Sequence, residues 1–321
     1  MNKNAVLLTG AAGFIGAKTA EKLLLKGERV VGIDNLNDSY DVSLKKYRLQ
    51  GLQRYPKFEF HKKDIENLKS LRPVFSKKRF KAVINLAAHA GVNGSLKNPR
   101  IYFSTNGQGT LNLLELCREY KIKKFVLASS SSLYAGRRMP FRETFPVDTP
   151  ISPYAASKRA AEMICYSYYY LYGIDVSVLR YFTVYGPAGR PDMSPYRFIQ
   201  RTDEGKPLEI FGDGSQLRDF TYIDDIADGT VRALKKVGYE VVNLGGGRPH
   251  TLSEMIALIE KHAGKAARVR KKPFRKADMK ATWADASKAR KLLGWQPKTS
   301  LDEGIRRSVG WWREYRKAGK R

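Results

Sequence analysis

A tyrosine and a lysine four residues apart have the spacing of an acid–base pair. Tyr154 and Lys158 follow Ser152-Pro153, and serine at the N-cap with proline at the first helical position predicts a helix that begins here. Residues four apart lie on the same face of a helix. A free phenol has a pKa of about 10, and a neighbouring ammonium favours the phenolate and lowers that pKa. The pair can therefore take a proton from a substrate hydroxyl and return it.

Four serines, Ser129 to Ser132, follow the apolar run Lys124-Phe125-Val126-Leu127-Ala128, which predicts a buried strand. Ligands bind at the carboxyl ends of the strands in open parallel sheets. A serine hydroxyl at that edge can hydrogen-bond the same substrate oxygen from which Tyr154 takes the proton. The alternative interpretations are a serine-rich turn and, for Tyr154 with Lys158, an ordinary helix surface.

A glycine-rich stretch near the N-terminus predicts a phosphate-binding turn. Gly10, Gly13 and Gly16 separate the apolar run Ala5-Val6-Leu7-Leu8 from residues 18–25, where apolar residues recur at helical spacing. In such a strand–turn–helix unit, the first glycine permits the sharp turn and the second lets the backbone approach a pyrophosphate. The third allows close packing of the helix. The N-terminus of the helix then offers N–H groups and the positive end of its dipole to the phosphates.

Asp34 predicts which nicotinamide dinucleotide is bound. It ends a second apolar run, residues 29–34, and lies 18 residues beyond Gly16. This is close to the spacing of the acid that binds the ribose 2′-hydroxyl. A carboxylate there favours NAD and repels the 2′-phosphate of NADP, so we expect NAD as the cofactor. A glycine turn followed by an unrelated surface aspartate is the alternative.

These residues require a scaffold that brings strand ends together. Strand-like and helical stretches alternate through the first half of the chain, which predicts an α/β fold with a doubly wound parallel sheet of the Rossmann type. After Tyr185-Gly186-Pro187 the segments become shorter. We therefore predict a NAD-binding domain over residues 1–186, with returning segments from the C-terminal half, and a smaller α/β substrate domain over residues 187–321.

Several helix boundaries are also predicted. One long helix is expected from about residue 98 to 120, and another over residues 153–172. Thr251-Leu252-Ser253-Glu254 has the pattern of a capping box. Asp285 is predicted to cap a later helix that ends near Gly294.

The composition excludes several classes of protein. The chain has 321 residues, of which 42% are hydrophobic, so it can form a sizeable core. No run of 18 apolar residues exists, so no membrane span is expected. The N-terminus enters a strand almost at once, which leaves no room for a signal peptide. The two cysteines, Cys117 and Cys165, suggest neither a disulfide framework nor a metal site, so a cytoplasmic location is expected.

The formal net charge of +28 is large. The basic residues are scattered, and no basic motif interleaved with aromatic residues is present. This distribution favours a solvated basic surface that attracts anionic substrates over a specific nucleic-acid partner. An RNA-binding protein is the alternative of a different class.

Together, the glycine turn, the serines at a strand end and the Tyr154/Lys158 pair resemble the extended short-chain dehydrogenase/reductases. The similarity narrows to the nucleotide-sugar 4-epimerases at Asn35-Leu36-Asn37-Asp38 and at residues 86–92, Leu-Ala-Ala-His-Ala-Gly-Val. Residues 180–187, Arg-Tyr-Phe-Thr-Val-Tyr-Gly-Pro, and 189–193, Gly-Arg-Pro-Asp-Met, are most similar to the UDP-glucuronate 4-epimerases. The resemblance covers nearly the whole chain.

This resemblance implies roles for individual residues. The catalytic set would be Ser130, Tyr154 and Lys158. The residues that bind NAD would be Gly10, Gly13, Phe14, Ile15, Gly16, Asp34, Asn35, Asp64, Ile65, Leu86, Ala87, Ala88, Asn106, Tyr154, Lys158 and Tyr181. The residues that bind the UDP-sugar would be Ser131, Ser132, Thr183, Arg190, Arg218, Arg275 and Asp278.

The implied reaction is the 4-epimerisation of a UDP-sugar through transient oxidation at carbon 4. Dehydratases and decarboxylases of this family carry carboxylates where this chain has Ser131 and Ser132, which favours simple epimerisation. UDP-glucuronate to UDP-galacturonate is the favoured pair, because Ser131, Ser132 and Thr183 could hold the sugar carboxylate with neutral hydroxyls. The alternatives are a UDP-glucose/UDP-galactose or UDP-N-acetylhexosamine 4-epimerase, a UDP-glucuronate decarboxylase and a non-catalytic NAD-binding scaffold.

The family pattern is not followed everywhere. His89 stands where glutamine is usual, Asn93-Gly94 stands where an arginine is expected, and residues 275–278 lack the usual Pro-Gly. These departures concern the substrate side of the predicted site more than the NAD side.

The resemblance also implies a homodimer. In the family, the two helices near residues 98–120 and 153–172 pair with their counterparts in a four-helix interface. The apolar residues proposed for this contact are Ile101, Phe103, Leu111, Leu114, Ile164 and Tyr168.

Overall fold

The strands in the described part of the chain form one large sheet and three short pairs. The computed structural model describes residues 4–274 and 279–319. The strands are β1 Ala5–Thr9, β2 Val30–Asp34, β3 Phe58–Lys62, β4 Phe80–Asn85, β5 Lys124–Ser130, β6 Asp175–Tyr181, β7 Thr183–Tyr185, β8 Leu208–Phe211, β9 Leu217–Arg218, β10 Phe220–Tyr222, β11 Tyr239–Leu244, β12 His250–Thr251 and β13 Val269–Lys272. The large sheet has the order β11-β6-β5-β4-β1-β2-β3, and all its neighbouring strands are parallel.

Helices cover both faces of this sheet. They are α1 Phe14–Leu25, α2 Val42–Gln53, α3 Leu68–Ser76, α4 Val92–Lys97, α5 Pro99–Tyr102, α6 Gly109–Glu119, α7 Pro153–Tyr172, α8 Ser194–Asp203, α9 Ile223–Arg232, α10 Leu252–Ala263, α11 Ser287–Leu293 and α12 Leu301–Ala318. A π-helical segment, Phe103–Gln108, joins α5 to α6, and a 3₁₀ turn, Ser131–Tyr134, follows β5.

The apolar run at β1 is continuous because both of its faces are buried. Val6 and Leu8 pack into a core with α1 and α9, whereas Ala5 and Leu7 pack into a second core with α6 and α7. Successive side chains of a strand point to opposite faces of the sheet, so a strand covered on both sides has no polar alternation. The predicted doubly wound Rossmann-type sheet is therefore confirmed.

The second half of the chain contributes to the large sheet and also forms a smaller α/β region. β11 returns to pair with β6 at the edge of the sheet. The short strand pairs are β7/β10, β8/β13 and β9/β12, and β7, β8 and β10 share a core with α8, α10 and α12. The division into domains at residue 186 stays a prediction.

Two predicted helix boundaries differ from the structure. The single helix expected from residue 98 to 120 is interrupted by the π-helical segment. In this segment the Asn106 carbonyl accepts a hydrogen bond from Thr110 Oγ1 at 2.6 Å, and π segments of this kind are common at functional sites. Asp285 lies one residue before the N-cap of α11, Ala286, although its carboxylate accepts a hydrogen bond from the Ser287 N–H at 2.9 Å.

Other predicted boundaries are confirmed. Thr251 Oγ1 accepts a hydrogen bond from the Glu254 N–H at 3.0 Å, and the Glu254 carboxylate accepts one from the Thr251 N–H at 2.7 Å, which completes the capping box. The helix expected over residues 153–172 is α7, and Ser152 caps it.

Some features are absent from the described ranges. No helix there is long and apolar enough to cross a membrane. The same ranges hold no group of three or more His, Cys, Asp or Glu side chains that could bind a metal ion. Cys117 and Cys165 are both buried free thiols.

Candidate functional site

A cleft with a volume of about 980 Å³ opens at the carboxyl ends of the central strands. It brings together most of the residues that the sequence predicts for the site. These are Gly10, Gly13, Phe14, Ile15, Gly16, Asp34, Asn35, Asp64, Ile65, Leu86, Ala87, Ala88, Ser130, Ser131, Ser132, Tyr154, Lys158, Tyr181, Thr183, Arg190 and Arg218. Asn106 is buried next to the cleft without lining it, and Arg275 and Asp278 lie outside the described residues.

The glycine turn between β1 and α1 is held tightly by its own backbone. Gly10 has φ +68°, a left-handed conformation that favours glycine. A Cβ on Gly16 would lie 1.9 Å from the Gly10 carbonyl oxygen, and one on Gly13 would lie 2.9 Å from the same atom. No side chain caps α1 at Gly13. The first N–H groups of α1 therefore face the cleft, where they suit the phosphates of a dinucleotide.

Asp34 connects the end of β2 to this turn. Its Oδ2 accepts a hydrogen bond from the Ala12 N–H at 3.1 Å, and its Oδ1 accepts one from the Leu36 N–H at 2.8 Å. The side chain is buried, yet it lines the cleft. An ionised carboxylate has about four acceptor positions, so Asp34 can also accept hydrogen bonds from a ribose diol.

Replacing Asp34 by Asn is expected to weaken NAD binding and to reduce the preference for NAD over NADP. The substitution removes the negative charge that repels a 2′-phosphate but keeps one acceptor oxygen for the turn. A hydrogen bond to a charged group contributes about 1.5–3 kcal/mol, so NAD affinity should fall roughly 10- to 100-fold. Titration calorimetry of both proteins with NAD and with NADP measures this. Equal affinity of the unsubstituted protein for NAD and NADP would contradict the role of Asp34.

The end of the cleft next to Asp34 is closed by a second polar pair. Asn35 Nδ2 donates to Asp64 Oδ2 at 2.7 Å, and Asp64 Oδ1 accepts from the Glu66 N–H at 2.9 Å. Ile65 is buried between them and α6, where a Cβ on Gly109 would lie 2.5 Å from its Cδ1. This combination of a flat apolar surface and an acceptor suits an adenine ring.

The predicted catalytic residues come together in the same cleft, away from the end that holds Asn35 and Asp64. Ser130 ends β5, Tyr154 lies in the first turn of α7, and Lys158 follows one turn later on the same face. The Ser130 hydroxyl donates to Ser132 Oγ at 3.1 Å, and it lies near enough to the Tyr154 phenol to act on the pKa of that group. Lys158 Nζ donates to the Ala128 carbonyl at 2.9 Å, so the ammonium is anchored to β5. The arrangement can hold and transfer a proton at a substrate oxygen.

Burial dominates the electrostatics of this group. It raises the pKa of Tyr154 above its usual value, while the Ser130 hydroxyl and the positive charge of Arg190 act to lower it. Burial also lowers the pKa of Lys158 to about 8, against the raising effect of Glu162. The expected fall in the Tyr154 pKa is thus not seen in this structure, because desolvation outweighs the attraction of nearby positive charge.

A buried ion pair behind Lys158 was not predicted from the sequence. Glu162 lies one turn beyond Lys158 and receives hydrogen bonds from Arg180 Nε at 2.9 Å, Arg180 Nη2 at 2.7 Å and Ser129 Oγ at 2.6 Å. Ser129 lines the cleft with the other three serines, but its hydroxyl is bonded to Glu162. Charged residues inside otherwise apolar stretches at 162 and 180 were the available signal, since such residues are rarely buried unless paired.

Asn106, in the π-helical segment, positions the loop after β4. Its Oδ1 accepts from the His89 N–H at 3.0 Å, and its Nδ2 donates to the His89 carbonyl at 3.0 Å and to Ser157 Oγ at 2.9 Å. His89 itself lines the cleft, and burial lowers its pKa. Asn106 therefore connects the loop of residues 86–92 to α7.

The substrate side of the cleft carries hydroxyls and arginines. Thr183 begins β7 next to Tyr181, and Arg218 lies in β9. Arg190 donates to both oxygens of Asp192, at 3.0 and 2.5 Å, and to the Ala90 carbonyl at 3.2 Å. Guanidinium groups match the geometry of phosphate oxygens, so this side suits a second, anionic ligand beside the dinucleotide.

Comparisons with known proteins agree with this geometry. A family model described as GDP-mannose 4,6 dehydratase matches residues 7–308. The UDP-glucuronate 4-epimerase of Thermodesulfobacterium geofontis is 55% identical over 309 residues, which are 96% of each chain.

Two solved structures have nearly the same fold. The UDP-glucuronic acid 4-epimerase of Bacillus cereus, in complex with UDP-glucuronic acid and NAD, matches with a TM-score of 0.90 and 38% identity, over 97% of this chain and 99% of that one. The UDP-glucose 4-epimerase of Thermotoga maritima with UDP-glucose matches with a TM-score of 0.89 and 34% identity, over 98% and 99%. With its parallel sheet and its glycine turn, this chain belongs to the NAD-dependent epimerase/dehydratase family of nucleotide-sugar enzymes.

Proposed function

We propose that this protein is an NAD-dependent UDP-glucuronate 4-epimerase, an isomerase that interconverts UDP-glucuronate and UDP-galacturonate. The observation that carries this proposal is that Ser130 and Tyr154 line the same cleft, with Lys158 one turn away from Tyr154. The cleft continues to the hydroxyls of Ser131, Ser132 and Thr183. The near full-length similarity to a UDP-glucuronate 4-epimerase supports the same assignment.

The NAD side of the cleft would be formed by the glycine turn, Asp34, Asn35, Asp64 and Ile65. Leu86, Ala87, Ala88 and Tyr181 would lie along the dinucleotide, with Asn106 holding the loop of residues 86–92. When bound there, NAD supplies a reversible hydride acceptor for carbon 4 of the sugar. The glycines and the exposed N–H groups of α1 fit its pyrophosphate.

The protein groups move the proton and orient the sugar. Tyr154 accepts the proton of the 4-hydroxyl as the carbon–hydrogen bond at carbon 4 breaks. Ser130 hydrogen-bonds the same oxygen, and the Lys158 ammonium stabilises the phenolate. After the 4-keto sugar turns over in the cleft, Tyr154 returns the proton to the oxygen while hydride is added to the other face. Configuration at carbon 4 is then inverted.

The uronate substrate requires protection of its carboxylate. Oxidation at carbon 4 gives a β-keto acid, which loses CO₂ readily when the breaking bond aligns with the carbonyl π-system. Ser131, Ser132 and Thr183 would hold the carboxylate out of that alignment by hydrogen bonds, without supplying an acid. Arg190 would approach the diphosphate, and Arg218 and Arg275, near Asp278, would bind the UDP diphosphate and ribose.

Replacing Thr183 by Val is expected to increase the UDP-pentose by-product. The two side chains have nearly the same volume, but valine cannot donate a hydrogen bond to the carboxylate. The ratio of epimer to pentose, measured by NMR of the product mixture, should fall roughly tenfold or more, as expected for the loss of one hydrogen bond to a charged group. Thr221→Val, in the neighbouring strand β10 and fully buried, is the matched control. An unchanged ratio in Thr183→Val would refute this protective role.

The substrate assignment is tested by giving the purified enzyme UDP-glucuronate and UDP-glucose separately. The proposal predicts UDP-galacturonate with little pentose from the first and slow turnover of the second. Faster turnover of UDP-glucose would identify the protein as a UDP-glucose 4-epimerase, which is the alternative that a structural relative suggests. Product configuration is read by NMR of the anomeric and carbon-4 protons.

We also propose that the protein forms a homodimer through α7 and the segment before α6. Three exposed side chains recur at helical spacing along α7: Met163, Tyr166 and Tyr170. In the segment before α6, Ile101 and Phe103 are also exposed. Leu114 and Tyr168, which were also predicted to contribute, are buried within the subunit instead. Exposed apolar surface of this kind is typical of an interface.

Light scattering should therefore give a mass twice that of the 36.4 kDa chain. Met163→Lys with Tyr170→Lys is expected to give monomers, because two charges would be desolvated at the centre of the interface. Leu25→Lys, an exposed position at the end of α1, is the control and should leave the dimer intact. A monomeric unsubstituted protein at micromolar concentration would count against the interface.

We also infer a cytoplasmic location, because both cysteines are free thiols.

A further inference from the structure

Arg48 connects three segments of the site although its side chain is not among the predicted site residues. It lies on α2 and is 6% exposed. Nε and Nη2 donate to the Ala188 carbonyl at 2.9 and 2.7 Å, and Nη2 also donates to the Gly189 carbonyl at 3.0 Å. Nη1 donates to the Ala12 carbonyl at 3.2 Å and to the Tyr40 hydroxyl at 2.8 Å.

The Arg48 guanidinium donates these hydrogen bonds to neutral acceptors, which are backbone carbonyls and the Tyr40 hydroxyl. Burial lowers the pKa of Arg48, and no carboxylate is found among the charges that act most strongly on it within residues 4–274 and 279–319. Burying a cation without an ion-pair partner costs free energy unless hydrogen bonds compensate for the lost water. Ion pairing therefore does not explain the position of Arg48, whereas the fixing of three backbone carbonyls does.

On the substrate side, Arg48 holds a turn with an unfavourable backbone conformation. Ala188 has φ +54°, a left-handed conformation that is costly for a residue with a Cβ. Two residues later, Arg190 enters the cleft, where it contacts the Ala90 carbonyl and acts electrostatically on Tyr154. The position of the Arg190 guanidinium thus depends on the turn that Arg48 holds.

On the NAD side, Arg48 holds the glycine turn. The N–H of Ala12 donates to Asp34 Oδ2 at 3.1 Å, and the carbonyl of Ala12 accepts from Arg48. A continuous chain of hydrogen bonds therefore runs from Asp34 through Ala12 and Arg48 to the turn that precedes Arg190. Each step joins two segments that are far apart in sequence.

We propose that Arg48 is a positioning residue that couples the NAD side of the cleft to the substrate side. Occupation of the glycine turn by NAD fixes the Ala12 peptide, and Arg48 transmits that restraint to residues 188–190, so that Arg190 is held for the anionic substrate. This inference rests on the proposed function. It predicts that NAD increases the affinity for the UDP-sugar, and by linkage that the UDP-sugar increases the affinity for NAD by the same factor.

The test measures binding of UDP-glucuronate by calorimetry with and without NAD. All proteins carry Tyr154→Phe, so that the ligand is not turned over. Arg48→Lys is compared with the Tyr154→Phe reference, because lysine keeps the charge but cannot reach three segments at once. Lys46→Met, an exposed position on the same helix, is the control for loss of a positive charge on α2.

In the reference and in Lys46→Met, NAD is expected to raise the affinity for UDP-glucuronate about tenfold. In Arg48→Lys this gain should fall below about twofold, and the ratio of the two affinities, rather than the affinity without NAD, is the readout. An equal gain in Arg48→Lys and the reference, or the absence of a gain in the reference, would overturn the inference. A merely structural Arg48 would lower both affinities and leave the gain unchanged. Failure of UDP-glucuronate to bind any of these proteins would instead overturn the proposed function.

Discussion

Replacing Tyr154 by Phe is expected to lower the turnover number by about 10²–10⁴, the usual contribution of a general acid–base group. The substitution removes one oxygen and little volume, so the position of the ring in the first turn of α7 is kept. What is lost is the proposed acceptor of the 4-hydroxyl proton, a phenol on which the Ser130 hydroxyl acts. Steady-state rates with UDP-glucuronate measure the effect.

Tyr102 is a suitable control for this prediction. Its ring packs edge-to-face on that of Tyr154, with centroids 6.1 Å apart, and its hydroxyl donates to the Ala90 carbonyl at 3.4 Å. Tyr102→Phe removes the same atom in the same cleft and should change turnover by less than about tenfold. NAD binding should survive in both variants. Near-normal turnover in Tyr154→Phe would refute its role as the proton acceptor.

Replacing Glu162 by Leu is expected to reduce the free energy of unfolding by about 3–5 kcal/mol, because it leaves a buried charge without its partner. Arg180 is 2% exposed, and both of its hydrogen bonds to a carboxylate go to Glu162. Ser129 would lose its acceptor at the same time. Denaturant unfolding followed by circular dichroism gives the difference.

The double variant Glu162→Leu/Arg180→Met separates the ion pair from the volume of the side chains. Replacement of a buried pair by apolar residues of similar size is often nearly neutral, so much of the lost stability should return. Glu303→Ala breaks exposed pairs with Arg306 and Arg307, and it should cost far less stability than Glu162→Leu because exposed pairs contribute little. If Glu162→Leu lost as little stability as Glu303→Ala, the buried pair would not be important for stability.

The parts of the site that sequence reasoning predicted depend on short-range patterns. At the glycine turn, a Cβ on Gly13 or Gly16 would meet the Gly10 carbonyl, and one on Gly10 would meet the backbone of Leu86 and Ala87. Tyr154 and Lys158 share a face because helix geometry fixes residues four apart. The parallel sheet follows from apolar strands that alternate with helices.

The parts that sequence reasoning missed depend on contacts between distant segments. Ser129 and Ser130 are adjacent in β5, so their side chains point to opposite faces, and only the structure shows that Glu162 receives the hydroxyl of Ser129. In the π-helical segment, Asn106 hydrogen-bonds to His89 and Ser157, which lie in two other segments of the chain. Arg48 reaches carbonyls about 140 residues away, a distance over which no local pattern carries information.

The most direct test of the proposed reaction uses UDP-glucuronate that carries deuterium at carbon 4. The purified enzyme is incubated with it in ordinary water, and the products are analysed by NMR and mass spectrometry. If Tyr154 removes the hydroxyl proton while the carbon-4 hydride is taken up and returned within the same cleft, the UDP-galacturonate formed keeps its deuterium at carbon 4. UDP-galacturonate without deuterium, or a UDP-pentose as the main product, would contradict the account.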